Sequence, residues 1–583
     1  MEDILEPLES YKTYFKETHA RNTSEYFDEL VRRSGVNEQD NIKTVKRLRE
    51  LEHKVANESS TLKWWKILRV ATVVSFVICL FYVLANFSWP YLILPVAVFA
   101  PVIFKLSKKI NENNERLKLL ESECELVRQD AWQQMAPLNQ LYDWDIMQKL
   151  VQKTTPRIEL DPYFSNGRLD EMRNSFGWDG KTDEDESVIF THSGVLNGNP
   201  FILSRNQQHW MGTKTYNGSL AISWTESVRD SNGKWTTVTR HQTLHASVEK
   251  PFPEYGKRTF IILCNEAAPD LSFSRTPSDL SKLKDGVFNN WKKKRAIKNL
   301  ESKARDLKNG NGFTVMSNQE FDALFNATNR NHEVQFRLLF TPLAQQEMTK
   351  LLKDSEVGYG DDFEFEKHKM VNLVEPEHMR ETDISSNPEK FYAYELAHAR
   401  KFFNEYQNDL FKSFFFGIAP LLSIPLYQQH RSHADIYKDV YTRRSSFWEH
   451  ESIANYFGED TFRHPKCVTR SILKTMSKED DDGTQTVHVT AHGYSGTDRF
   501  ALVPVHGGDG KTHNVRVDWV EYNNVKHTSK IVVFEKSPLS NEDTASSSDT
   551  ENDTWMKALE KNGIDQKART IHRRSIFSAV IPT

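Results

Sequence analysis

Residues able to do acid–base chemistry cluster once in this 583-residue chain, between 430 and 451. "HRSHAD" and "WEHESIANYF" put His430, His433, Asp435, Glu449, His450 and Glu451 close in sequence. Imidazole beside carboxylate is the usual pairing for proton transfer at neutral pH. His430, His433, Glu449 and His450 are therefore the candidate catalytic residues, although the polar face of a surface helix accounts for the same pattern. A second group, His488 and His492 in "VHVTAHGY", is spaced four apart in a β-branched run. On a strand that spacing puts both rings on one face. His488 and His492 are thus the candidate metal ligands, with His506 and His513 nearby. An exposed sheet face explains them better, since no HExxH motif and no cysteine pair accompanies them. No metal and no cofactor is expected.

Other motifs fall short of chemistry. "HGYSG" lacks the last glycine of a nucleophile elbow, Thr497 standing there instead. "VHGGDGKTH" has no phosphate-loop spacing and reads as a hairpin loop. "WKKKRAIK" (291–298) is a basic run beside a tryptophan, without any helix-turn-helix or RNA-binding pattern, so no nucleic-acid partner is expected.

The composition points the same way. Lys and Arg number 76 against 80 Asp and Glu, a net charge of −4 that gives no global pull toward polyanions. A mean hydropathy of −0.62 confines any membrane segment to a small island. The four cysteines, Cys79, Cys124, Cys264 and Cys467, stand far apart, as in a reducing compartment. "MEDILEPLES" has no basic stretch before an apolar core, so no signal peptide is expected.

The elements that would position these residues begin with that island. Ile67 to Asn86 is a twenty-residue run with one charge, Arg69, and spans about 30 Å as a helix. Tyr91 to Phe104 follows after "FSWP", interrupted by Pro95 and Pro101, each of which would remove a helix hydrogen bond. The pair reads as a transmembrane hairpin with Trp89 at the interface. Lys63, Lys66 and Arg69 precede it, Lys105, Lys108 and Lys109 follow it, and the turn carries no cation. Both flanks are then cytoplasmic. Leu106, Ile110, Asn113, Leu117, Leu120, Cys124, Val127 and Ala131 recur at alternating spacings of four and three, a coiled-coil seam. Leu48, Leu51 and Val55 supply the matching stripe before the hairpin.

Beyond residue 155 the texture is β-rich. Asn197-Gly198, Asn217-Gly218 and Asn232-Gly233 each read as a hairpin turn, which predicts an antiparallel meander closed by "KRTFIILCN". A second set of strand-like runs spans 448–537, and 538–553 has the composition of a disordered linker. The expected fold is α+β. It comprises an N-terminal helical segment (1–65), a transmembrane hairpin (66–105), a stalk helix (106–152) and an α+β domain (153–352). A helical connector (353–447), a second β-rich domain (448–537), the linker (538–553) and a tail with one short helix (554–583) complete it. Within the connector, "SFFFGIAPLLSIPLYQQH" holds an uncharged run, 413–427, that is short for a span and broken by Pro420 and Pro425. It reads as a Pro-broken helix packed between the two β-rich bodies, or as a segment dipping into the inner leaflet.

"RLLFTP" with its surrounding Phe321, Phe325, Val334, Met348 and Leu351 resembles the closing motif of an uncharacterised bacterial membrane-protein family of unknown function. "GVLNGNPFILS", "RHQTLHASVEK" and "KRTFIIL" look like that family's opening strands. The resemblance covers about 105–352 and implies a membrane hairpin followed by an α+β domain, with no activity attached. The sequence is then best read as a cell-membrane protein with two spans and both ends cytoplasmic. It would contact the bilayer through 67–104 and act as a scaffold or interaction protein with a protein partner, and homo-oligomerisation is open. A membrane-tethered hydrolase using the 430–451 cluster and an accessory subunit of a transport machine are the alternatives.

Overall fold

The structure is a computed structural model. It describes residues 4–86, 93–229, 233–278, 313–429, 444–479, 484–535 and 570–581, with short pieces near 231, 280, 295–302 and 555–564. The chain is α+β and divides into two compact units. One gathers 20–143 and 387–408; the other gathers 1–19, 144–386 and 409–583. This division cuts across the boundaries expected from sequence, because both β-rich bodies fall in one unit. The helices that matter below are α1 (Lys16–Ser34), α2 (Glu38–Asn86), α3 (Ile93–Asn139), α4 (Leu396–Leu422) and α5 (Phe447–Phe457).

The helical unit is built on α2 and α3, which run antiparallel. Arg47 pairs with Glu123 at 2.8 Å, Glu52 with Arg128 at 2.9 Å, and Gln134 donates to the Thr44 hydroxyl at 2.9 Å. The expected seam is where the helices meet: Leu48, Leu51, Cys124 and Val127 are buried as one cluster. Leu106, Ile110, Asn113 and Ala131 are buried too, with Leu117 and Leu120 half-buried. The register persists into the apolar stretch, where the Phe76 and Phe99 rings stand 5.7 Å apart. There the outward faces are apolar, with Ile67, Val70, Ile78, Phe81 and Phe104 each 59–75% exposed. Among the described residues, one helix, ending at Tyr82 for this purpose, is long and apolar enough to cross a membrane. The described apolar part of α3, Ile93–Phe104, covers only about 18 Å. Pro101 lies within α3, which continues through it. Tyr142, Phe391 and Phe403 close this unit's aromatic core.

The larger unit holds two antiparallel sheets. Strands β1 (Ile158–Leu160), β2 (Glu186–Leu196), β3 (Asn199–Arg229), β4 (Trp235–Cys264), β5 (Ser272–Arg275), β6 (Phe363–His368) and β7 (Val371–Pro376) form the first, ordered β1-β2-β3-β4-β7-β6-β5. Strands β8 (Ile472–Glu479), β9 (Gln485–His506), β10 (Thr512–Glu535), β11 (Thr570–Arg573) and β12 (Ile576–Ile581) form the second, ordered β11-β12-β10-β9-β8.

Two of the three expected turns stand where the sequence puts them, and one does not. Asn197 and Gly198 adopt the positive φ that a tight hairpin requires, and Gly233 lies between β3 and β4. Asn217 and Gly218 instead sit in the middle of β3, paired with Ser247 and Ala246. The predicted meander is therefore one continuous ribbon. β3 and β4, of 31 and 30 residues, reach about 100 Å, and past Gln208 they pair only with each other. β9 and β10 form a second such ribbon beyond His492. Ribbon packs on ribbon: a Cβ on Gly218 would lie 2.1 Å from the Arg516 carbonyl oxygen, and only glycine permits that approach. Phe252 meets Tyr522 edge-on at 5.5 Å, and the Lys250 ammonium stands 4.5 Å over Trp519.

The segment 413–427 is core. Phe414, Phe415, Ala419, Leu422 and Tyr427 are fully buried. Phe415 packs 5.3 Å from both Tyr11 and Phe15, and Phe414 faces Phe201 of β3. α4 is not broken at Pro420 but runs to Leu422, and a short 3-10 turn over Pro425–Gln428 follows. Gln428 then holds both the amide and the carbonyl of Ile4, at 2.9 and 2.7 Å. The C-terminal tail carries the expected short helical stretch, at 555–557 and 559–561, and in addition gives the β11–β12 hairpin to the second sheet, with β12 against β10.

Candidate functional site

α5 explains the fate of the acid–base candidates. Its residues Trp448, Ile453, Ala454 and Phe457 are buried, so the helix is packed on all sides and its polar residues are buried with them. Glu449 and His450 are both 0% exposed. Glu449 accepts from Arg573 at 2.5 Å, with Arg574 3.7 Å from its other oxygen and the Phe164 amide at 3.4 Å. Arg574, a non-glycine residue at φ +54° in the β11–β12 turn, also reaches His192 Nδ1 at 2.8 Å and the Thr191 carbonyl at 3.0 Å. Burial, reinforced by Arg574, pushes His192 down to about 3. The neutral ring is completed by a contact of 2.8 Å from Nε2 to the Ile384 carbonyl.

His450 faces Ser445, with Nε2 2.9 Å from the hydroxyl, and Ser445 in turn donates to Glu535 at 2.5 Å. These are the residue types of an acyl-transfer triad in a different order. In a triad the histidine lies between serine and carboxylate, so that it can take the serine proton. Here the serine lies between the other two and gives its proton to Glu535, leaving His450 to donate through Nε2. His450 Nδ1 is buried without a partner, and burial holds the ring down at about 4. Glu451 is pushed the other way, up to about 7, by burial that outweighs Lys474 at 3.3 Å. Ser445, Glu449 and His450 are fully enclosed, so this group is part of the packed core. His430 and His433 lie outside the described residues.

His488 and His492 do share a face of β9, opposite Val487, Val489 and Ala491. Four residues of strand separate them by about 13 Å, too far for one ion. Their cross-strand neighbours in β10 are Lys530 and Lys526, which repel a cation. Among the described residues no group of three or more His, Cys, Asp or Glu is placed to hold a metal.

A more open arrangement lies at the root of the two ribbons. Cavities of about 440 and 740 Å³ share Tyr255 as a wall. The smaller is lined by His209, His492, Tyr494 and Lys526, the larger by Trp210, Phe252, Arg463, Arg470 and Tyr522. Strand register assembles it, since His209 lies opposite Tyr255 and Trp210 opposite Glu254. The Tyr255 hydroxyl donates to the Arg470 carbonyl at 2.8 Å, and burial pushes it up to about 12, so it serves as a fixed donor. His209 lies 5.1 Å from the Tyr255 ring and 5.2 Å from Tyr494, and its Nε2 is buried without a partner. Trp210 donates to Glu254 at 2.8 Å yet leaves 46% of its surface open. His492 is pushed down by burial and by Lys526 and Lys474. Aromatic walls with fixed polar groups at the rim suit ligand recognition.

Sequence reasoning reached His492 but missed His209, Tyr255 and Trp210, because residues nearly 300 apart in the chain meet only through ribbon packing. Arg573 and Arg574 were also missed. Their signal was an arginine pair inside the alternating run "TIHRRSIFSAV". Comparison with models of known protein families, with curated proteins and with solved structures found no match to this chain.

Proposed function

We propose that this chain is a membrane-anchored interaction protein. α2 and α3 enter the bilayer as a two-span hairpin, both chain ends stay on the cytoplasmic side, and the cleft around Tyr255 receives a protein partner. The observation that carries the reading is the outward apolar surface of α2. Ile67, Val70, Ile78 and Phe81 are exposed on a helix that is paired and charged lower down, and hydrocarbon would cover a face of that kind and length. The basic flanks and the cation-free turn support a cytoplasmic position for both ends. The aromatic cleft supports binding as the role of the larger unit, and the sealed state of Glu449 and His450 removes the motive for a hydrolase.

The test is extraction and labelling in cells. The protein should stay with membranes in alkaline carbonate, and Ser88→Cys should react with an impermeant maleimide applied from outside, whereas Lys12→Cys should not. Release by carbonate, or labelling at position 12 in intact cells, would refute the reading.

A further inference from the structure

Between Ser59 and Asn86 of α2, and between Ile93 and Asn111 of α3, there is no acidic residue, and there are six basic ones: Lys63, Lys66, Arg69, Lys105, Lys108 and Lys109. The antiparallel register carried by Phe76 and Phe99 sets Lys66 beside Lys109 and Arg69 beside Lys105. All six fall within a band about 10 Å high, at the cytoplasmic edge of the apolar surface. Five are exposed and Arg69 is half-buried, and none makes an ion pair among the described residues. The same two helices treat their cations differently further down. There Lys43 pairs with Asp40, Arg47 with Glu123 and Arg128 with Glu52. Lys46, Lys54, Arg116 and Lys118 make no ion pair there among the described residues, but acidic residues are interspersed with them, whereas the band at the apolar edge holds none. Trp64, 74% exposed at the same level, adds the amphipathic ring favoured at that depth.

From this juxtaposition we infer that the six residues form a collar that binds the phosphates of anionic phospholipids, so that the anchor selects such lipids rather than merely dissolving in the bilayer. The inference rests on the anchor reading above. Uncompensated cations beside an apolar belt complement a phosphodiester held at the hydrocarbon boundary, and a lipid supplies both the charge and the apolar contact at once.

Native mass spectrometry of the full chain released from mixed micelles tests it, with phosphatidylglycerol and phosphatidylcholine offered in equal amounts. The wild type should retain phosphatidylglycerol about tenfold over phosphatidylcholine. A variant with all six residues changed to Gln should retain the two equally, while one with the five lysines changed to Arg should keep the preference, which separates charge from folding. Millimolar glycerophosphate should leave the bound lipid in place. Equal retention by the wild type, a preference that survives in the Gln variant, or displacement by glycerophosphate would each overturn the collar. Failure of the anchor itself reads differently, as release of the wild type by alkaline carbonate.

Discussion

Arg573→Met tests whether the C-terminal hairpin is tied into the core by charge. Arg573 is 1% exposed and Glu449 0%, and their contact is 2.5 Å. Removing one partner of such a pair leaves a carboxylate buried without its counter-charge, which costs about 3–5 kcal/mol. Arg574 at 3.7 Å and the Phe164 amide at 3.4 Å soften the loss, so the lower end, about 3 kcal/mol, is expected. The double variant E449M/R573M removes both charges and should recover at least half of that, because matched apolar replacement of a buried pair is often neutral. Pulse proteolysis of the full chain in neutral detergent across a urea series measures it. With a slope of about 3 kcal/mol per molar, the midpoint of the single variant should fall by about 1 M. A fall of less than about 0.3 M, or a double variant that is simply the sum of the two singles, would refute the reasoning.

Gly218→Val should force the two ribbons apart, since its Cβ alone would overlap the Arg516 carbonyl. Faster amide exchange in 214–222 and 512–520, with the sheet cores unchanged, is the expected result, and unchanged exchange would contradict the packing. Glu451→Gln should alter the pH profile of stability. Glu451 is raised to about 7, so its contribution is full below its ordinary value near 4.5 and is lost as the pH climbs through 7; His450, lowered to about 4, contributes in the opposite sense and is lost below 6.5. The urea midpoint of E451Q should therefore climb more steeply than that of the wild type between pH 4.5 and 6.5, and parallel profiles would exclude the assignment. Cys264, wholly buried with its thiol pushed up by burial, should stay unreactive to a thiol reagent until urea unfolds the larger unit; modification in native buffer would show that this part of the core opens.

Local signals were read correctly where one interaction decides the outcome. The stripe through Leu120, Cys124 and Val127 meets Leu48 and Leu51 because a periodicity of seven needs only one neighbouring helix. Asn217-Gly218 misled because its composition serves two purposes. Positive φ in a turn and close approach in a strand both demand glycine, and only the partner ribbon distinguishes them. The burial of Glu449 and His450 was equally hidden. Their buried partners Arg573, Ser445 and Glu535 come from different elements, and sequence proximity to His430 and His433 had suggested a different grouping. The run 413–427 reads as a packed segment broken by proline; it is packed, but its setting against Tyr11 and Phe15, some 400 residues away, and its continuity through Pro420 were not legible.

The stitching of Ile4 to Gln428 and of Arg573 to Glu449 has a consequence for biosynthesis. A chain made from one end to the other can complete the helix pair α2–α3 as soon as residue 139 has emerged. The larger unit must hold Ile4 unsatisfied until 428 arrives, and Glu449 without its guanidinium until 573 has been made. A chain that stopped before residue 573 would leave the Glu449 carboxylate without its counter-charge inside the larger unit. The two units therefore mature on different schedules, the helix pair early and the larger unit only after most of the chain has emerged.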